Sequence, residues 1–152
     1  MKIRIVTVGK LKEKYWADAV EEYRKRLTRF ADISIVETEE ASRLPTPDAI
    51  RRKEGEGILA KLKGYVILTD LGGDMPDSEG FAALFEKARE RGVSEISVVI
   101  GGSHGVSEEV RKAADVRVSF GRMTYPHQLM RVIVAEQIYR AMTISAGTAY
   151  HK

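Results

Sequence analysis

Apolar residues recur at every second position in some stretches of this chain and at every third or fourth in others, and the two spacings alternate from one end to the other. Period two marks a strand, and a period near 3.6 marks a helix. The strand stretches are "IRIVTV" (3–8), "ISIVET" (33–38), "YVILTD" (65–70), "EISVVI" (95–100) and "DVRVSF" (115–120). A helical stretch follows each of them. After Gly9, residues Trp16, Ala19, Val20, Tyr23 and Leu27 share one face, opposite Glu21, Arg24 and Lys25. Thr46 and Pro47 offer a cap and a first helical residue for a highly charged helix through Ile50, Ile58 and Leu62. Ser78 is the expected cap of a helix whose stripe is Phe81, Leu84, Phe85 and Ala88, stopped by Gly92. Ser107, with Glu108 and Glu109 in the first turn, opens a short helix before the fifth strand.

Strict alternation of strands and helices predicts an α/β fold, an open and mainly parallel sheet with helices on both faces. The unbroken apolar runs of the third and fourth strands suit interior positions in that sheet. Ligands of such sheets lie beyond the carboxyl ends of the strands. Three loops are therefore candidates: "TDLGGD" after strand three, "GGSHG" after strand four and "GRMTYPH" after strand five. No linker or repeat divides the chain, so residues 1–152 form one expected domain. The stretch 39–47, "EEASRLPTP", is the expected flexible loop.

The last helix, "PHQLMRVIVAEQIYRAM", departs from the amphipathic pattern. Leu129, Met130, Val132, Ile133, Val134, Ala135, Ile138, Ala141 and Met142 leave it almost no polar face. In a domain this small one side can be covered by the chain's own sheet, and a second copy of the chain is the economical cover for the other, which predicts a homodimer. Glu136 and Arg140 lie four residues apart on this helix, with Arg131 about one turn earlier, and an interface ion pair is the simplest reading of them.

Composition narrows the picture. No apolar run approaches the ~20 residues of a membrane span, and "MKIRIVTVGK" lacks the apolar core of a signal peptide. Together with the absence of cysteine this points to the cytoplasm and removes thiolate chemistry. A net charge of +3 is compatible with a polyanionic partner without demanding one. His104, His127 and His151 have neither metal-ligand spacing nor cysteine company, so no metal site is expected.

The candidate chemistry starts at "EISVVIGGSHGVSEEV" (95–110), a strand running into a glycine turn and a helix. It lacks the third glycine of a dinucleotide fingerprint and the lysine of a P-loop. A phosphate-binding site here would need an anion clamp near Gly101, and Arg122 is the one candidate for it.

Three segments, "VVIGGSHGV", "SFGRMTYPHQLMRVIVAEQIYRA" and the terminal "AYHK", resemble the SPOUT methyltransferases, specifically the family of ribosomal RNA large subunit methyltransferase H. The similarity extends over essentially the whole chain. It implies a C-terminal trefoil knot and S-adenosylmethionine, a cofactor without phosphates, bound in a bent form largely through main-chain groups. The implied cofactor residues are Thr69, Gly101, Phe120, Gly121, Arg122, Met123, Thr124 and Tyr125. Position 69 is more often leucine in the family, which makes a main-chain contact the expectation for Thr69. His104 matches no family position and is read as a solvated turn residue.

The implied substrate is a pseudouridine in a stem-loop of large-subunit ribosomal RNA, methylated at N3 on the assembled ribosome. Lys10, Lys12, Lys14, Arg51, Arg52 and Lys53 would then orient phosphates. Losing the N3 proton calls for a base or an anion-stabilising group, and the candidates are His151, Tyr150 and Arg140, with the tail meeting a partner's cofactor pocket. A non-catalytic RNA-binding protein on the same fold is the competing expectation.

Overall fold

The computed structural model describes residues 1–151, and ten elements alternate along them. They are β1 (Lys2–Val8), α1 (Lys14–Leu27), β2 (Asp32–Thr38), α2 (Pro47–Leu59), β3 (Tyr65–Asp74), α3 (Ser78–Glu90), β4 (Glu95–Ile100), α4 (Glu108–Ala113), β5 (Val116–Val118) and α5 (His127–Ser145). The sheet order is β2-β1-β4-β3-β5 and every pairing is parallel.

Because successive side chains of a strand point to opposite faces, each interior strand feeds two cores. Ile3 and Ile5 of β1, Ile67 of β3 and Ile96, Val98 and Ile100 of β4 pack with Leu27, Phe81, Phe85, Val134, Ile138 and Ala141, so α1, α3 and α5 cover that face. Val6, Val8, Val66, Leu68 and Val99 meet Ile58, Val106 and Val110, which places α2 and α4 on the other. Two buried faces explain why these strands read as continuous apolar runs.

Caps fix several boundaries. Thr46 Oγ1 accepts from the Ala49 amide, and Pro47 opens α2 as expected. Ser107 caps α4 in the same way. The cap of α3 is Asp77, whose carboxylate accepts from the Gly80 amide at 2.7 Å, so Ser78 is the first helical residue rather than the cap. The α2 helix stops before Leu62. The largest difference lies at the fifth strand, which keeps only Val116–Val118 of the expected 115–120. Ser119 ends it: its hydroxyl donates to the Gly121 carbonyl at 2.7 Å and accepts from the Gly121 amide, closing a tight turn where a ladder would have continued. β3 is correspondingly longer than expected, reaching Asp74 through an irregularity between Thr69 and Asp74 against β5.

One buried charge ties α5 to the sheet. Arg131 is 3% exposed. Its Nη1 donates to Glu37 of β2 at 2.7 Å, and its Nη2 donates to the Val8 and Gly9 carbonyls at 2.7 Å each, at the carboxyl end of β1. Sequence spacing pointed instead to a grouping with Glu136 and Arg140, but Arg131 is on the buried face of α5 and finds its partner 94 residues away. Replacing Arg131 with methionine keeps the apolar stem and strips donors from two carbonyls and one carboxylate. Because Glu37 is half-exposed and can rehydrate, the loss of unfolding free energy in urea is expected at the low end of a broken buried pair, roughly 3 kcal/mol. The exposed Lys14–Asp18 pair supplies the contrast, since Lys14→Met is expected to leave the urea midpoint essentially unchanged.

Candidate cofactor cleft

The carboxyl ends of β3, β4 and β5 and the first turn of α5 enclose an open cleft with two lobes. The larger, about 790 Å³, runs along Ile100–Val106 to Pro126 and His127. The smaller, about 110 Å³, is set between Val118–Gly121 and Met123. Thr69, Asp70, Leu71, Thr124, Tyr125 and Met130 border both, making one continuous site within the range of small-molecule pockets.

Local chemistry explains its shape. A Cβ on Gly101 would stand 2.7 Å from Val106 Cγ1, so glycine is what lets the chain after β4 pack this closely against the Val106 turn. Its neighbour Gly102 is backed by the buried Glu54, whose Oε2 accepts from the Ala41 amide. Gly121 at φ 117° turns the chain back after the Ser119 loop. Arg51 of α2 supports the far side of the larger lobe by donating to the His104 carbonyl. The Thr69 hydroxyl donates to the Val99 carbonyl at 2.9 Å, so its side-chain donor is spent within the sheet. Leu71 and Met123 are 58% and 75% exposed at the rim, an apolar cover for a flat ring.

Of the residues expected to hold cofactor, Thr69, Gly101, Phe120, Gly121, Met123, Thr124 and Tyr125 all border the cleft. Arg122 is exposed and is not part of its lining. Asp70, Leu71, His104, Arg111, His127 and Met130 were not among the expected cofactor residues but border it too, so His104, expected as a solvated turn residue, is part of the wall. Asp70 was within reach, as the last residue of the "YVILTD" stretch. Arg111 was not, since nothing in a short charged helix marks which arginine turns inward. Asp70 Oδ2 accepts from Arg111 Nε at 3.2 Å and from Arg117 Nη1 at 3.1 Å, tying β3 to α4 and β5.

The expected catalytic residues form a separate cluster. Arg140 donates to Glu136 Oε1 through Nε at 3.0 Å and Nη2 at 2.5 Å, and its guanidinium lies 4.9 Å from the Tyr150 ring centre. The Tyr150 hydroxyl donates to the same Glu136 oxygen at 3.2 Å, and its ring meets Tyr139 edge-on. His151 Nδ1 lies 3.4 Å from Arg140 Nη1, and its Nε2 is 3.8 Å from Glu79. Burial, and then the Glu136 carboxylate, push the Tyr150 hydroxyl above its ordinary pKa, so in this arrangement it is a donor. The hydrogen bonds to Glu136 raise Arg140 and keep it a cation. None of the three borders the cleft. Met130 and Arg140 are ten positions apart on α5, roughly 15 Å at the rise of an α-helix. No group of three or more metal-ligating side chains occurs among the described residues, and no helix there is long and apolar enough to cross a membrane.

Comparison with known proteins agrees with this geometry. The family described as "Predicted SPOUT methyltransferase" matches residues 1–151. The chain is 48% identical over 159 residues to ribosomal RNA large subunit methyltransferase H of Lactobacillus helveticus, with both chains covered completely. It is 49% identical over 162 residues to the protein of that name from Clostridium novyi, again over both full lengths. Among solved structures, a probable methylase family protein from Haemophilus influenzae superposes with a TM-score of 0.56 at 13% identity, over 99% of this chain and 70% of that one, a likeness of fold. The match runs unbroken from the first strand through the glycine corner to the tail that folds back on Glu136, and the chain belongs to the SPOUT methyltransferase family.

Proposed function

We infer that this methyltransferase uses S-adenosylmethionine to methylate N3 of a pseudouridine in large-subunit ribosomal RNA, as a homodimer acting on the assembled ribosome. The observation that carries the reading is the cleft: a mixed apolar and polar lining with a glycine corner at the carboxyl ends of β3–β5, and no lysine in that lining among the described residues. It suits a cofactor that carries no phosphates. The full-length relatives at 48% and 49% identity are named as ribosomal RNA methyltransferases, which supports the substrate class.

The bound cofactor supplies an electrophilic methyl group on a sulfonium centre. The chain supplies position: the Gly101 corner and the Phe120–Tyr125 loop fix the cofactor, and the rim at Leu71 and Met123 excludes water and covers an extruded base. Methylation at N3 would release the N3 proton, which a group of the protein has to take up. Arg140, Tyr150 and His151 are the groups to stabilise the imide oxygens and take that proton. Since the cluster is distant from its own chain's cleft, they serve the partner's. On the uncovered side of α5, Leu129, Val132 and Ile133 are only half-buried, which supports a second copy as the cover. The trefoil threading expected of the family accompanies this reading. Of the basic residues, Lys14 and Lys53 lie in ion pairs with Asp18 and Glu56, and Arg51 is paired with Asp48, which leaves Lys10, Lys12 and Arg52 as the phosphate contacts.

The direct test is methylation of ribosomes from a strain lacking this gene, followed by mass mapping of the modified nucleotide. Transfer to N3 of one pseudouridine is expected, and a product on another base would overturn the assignment. A non-catalytic RNA-binding protein would fail an S-adenosylmethionine titration.

Three further outcomes are expected. Sedimentation at micromolar concentration should show a dimer, and a well-folded monomer would remove the interface on α5. Gly101→Val should abolish cofactor binding by displacing the Val106 turn, whereas Arg122→Ala, outside the lining, should leave it intact; equal losses would sink the main-chain pocket. Deleting Tyr150 to Lys152 should spare cofactor affinity and dimerisation while slowing methylation by ~10²- to 10⁴-fold, the usual effect of removing a placed acid–base group. A mixed dimer with the cofactor-binding defect and the tail deletion on the same chain then decides between arrangements. Acting across subunits, both its sites are damaged and activity is lost; retention of about half the activity means that each tail serves its own chain.

A further inference from the structure

We propose that Arg111 is the anion anchor of the cleft, held by Asp70 so that its remaining guanidinium edge takes the carboxylate at the amino-acid end of an S-adenosyl ligand. The inference rests on the cofactor reading above and adds a residue to it. Among the described residues the lining of the larger lobe contains two imidazoles, one carboxylate and one guanidinium. The carboxylate, Asp70, is mostly buried and already accepts from two arginines, Arg111 at 3.2 Å and Arg117 at 3.1 Å. Two guanidiniums on one carboxylate leave a local excess of positive charge. Glu108 offsets it weakly, because it is largely exposed and its nearest oxygen is 3.8 Å from Arg111 Nη1.

The geometry of Arg111 separates its two edges. Nε points to Asp70 and Nη1 towards Glu108, while Nη2 makes no hydrogen bond to a described residue. A guanidinium oriented through one nitrogen presents the rest of its planar fork at little further entropic cost, which is how arginine recognises carboxylates. Arg117 binds the same Asp70 oxygen but does not border the cleft. It is therefore a built-in control, sharing the ion network without sharing the ligand. Arg122, the cation that the sequence offered for this role, is outside the lining.

Calorimetric titration of the intact protein with S-adenosylhomocysteine and with its decarboxylated analogue, which keeps the adenosine, thioether and amine, tests the assignment without any turnover. Wild type is expected to prefer the carboxylate-bearing compound by about tenfold, the usual scale of one partly exposed charge-assisted contact. Arg111→Gln should erase that preference by weakening S-adenosylhomocysteine alone. Arg111→Lys should restore part of it, and Arg117→Gln should leave it intact. Four results overturn the proposal: a preference unchanged in Arg111→Gln; equal weakening of both compounds by Arg111→Gln and Arg117→Gln, which makes the cluster a purely structural tie; a preference unchanged while the KM for ribosomes rises, which makes the anion a substrate phosphate; and failure of wild type to bind either compound. Only the last also removes the S-adenosyl reading of the cleft.

Discussion

The placement of α5 depends on a single buried cation. Arg131 reaches from the first turns of that helix to the carboxyl end of β1, where the Val8 and Gly9 carbonyls have run out of ladder partners, and to Glu37 on the neighbouring strand. Burying a guanidinium is costly unless every face finds an acceptor, and here three acceptors meet it at 2.7 Å. The same contacts that satisfy the charge determine where α5 begins. The next residue back, Met130, borders the cleft, as do Pro126 and His127 just before it. The wall of the site is thus positioned from the opposite half of the sheet.

Two consequences follow for the loop between β5 and α5. Its start is set by the Ser119 turn and its end by the anchored helix, so Phe120–Tyr125 must span that gap as irregular chain. Irregular chain exposes amide and carbonyl groups that a helix or strand would consume. That loop, beside the Gly101 corner, lines the pocket without a charged side chain, because Arg122, its one charged residue from Phe120 to Tyr125, is outside the lining. A phosphate-binding loop is built on the opposite plan, with a helix N-terminus and a lysine aimed at the anion. The absence of that lysine from "GGSHGV", with the α4 amino end capped by Ser107, therefore matches a cleft built on another plan rather than marking a degraded nucleotide motif.

Much of this was legible in the chain because each relevant signal was local. Period-two runs located all five strands, the Thr46–Pro47 and Ser107 caps located two helix starts, and the glycine corner marked a site loop. What was hidden depended on distance. Arg131 resembled a partner for Glu136 until the fold brought Glu37 to it across 94 positions. The Asp70–Arg111–Arg117 network joins three elements, and nothing in the spacing of its members announces it. β5 read as six residues because "DVRVSF" alternates well, yet Ser119 spends its hydroxyl on the next turn and ends pairing at Val118. At α3 two good caps stood side by side, Asp77 and Ser78, and the carboxylate won the Gly80 amide.

The tail closes a network of its own on the last helix. Tyr150 and His151 pack back on α5, where Glu136 accepts from both Arg140 and Tyr150. That arrangement neutralises Glu136 and holds the phenol protonated, so within one subunit Tyr150 is a hydrogen-bond donor in a closed ion-pair network. Glu136 is the competing ligand in it. A ribose or imide oxygen arriving from outside would have to displace one of its donors, and Arg140 has two nitrogens on it while Tyr150 has one hydroxyl. The tyrosine is therefore the easier contact to exchange. Exchanging that one hydrogen bond would leave the tail in place, because the ring still packs on Tyr139 and under the Arg140 guanidinium.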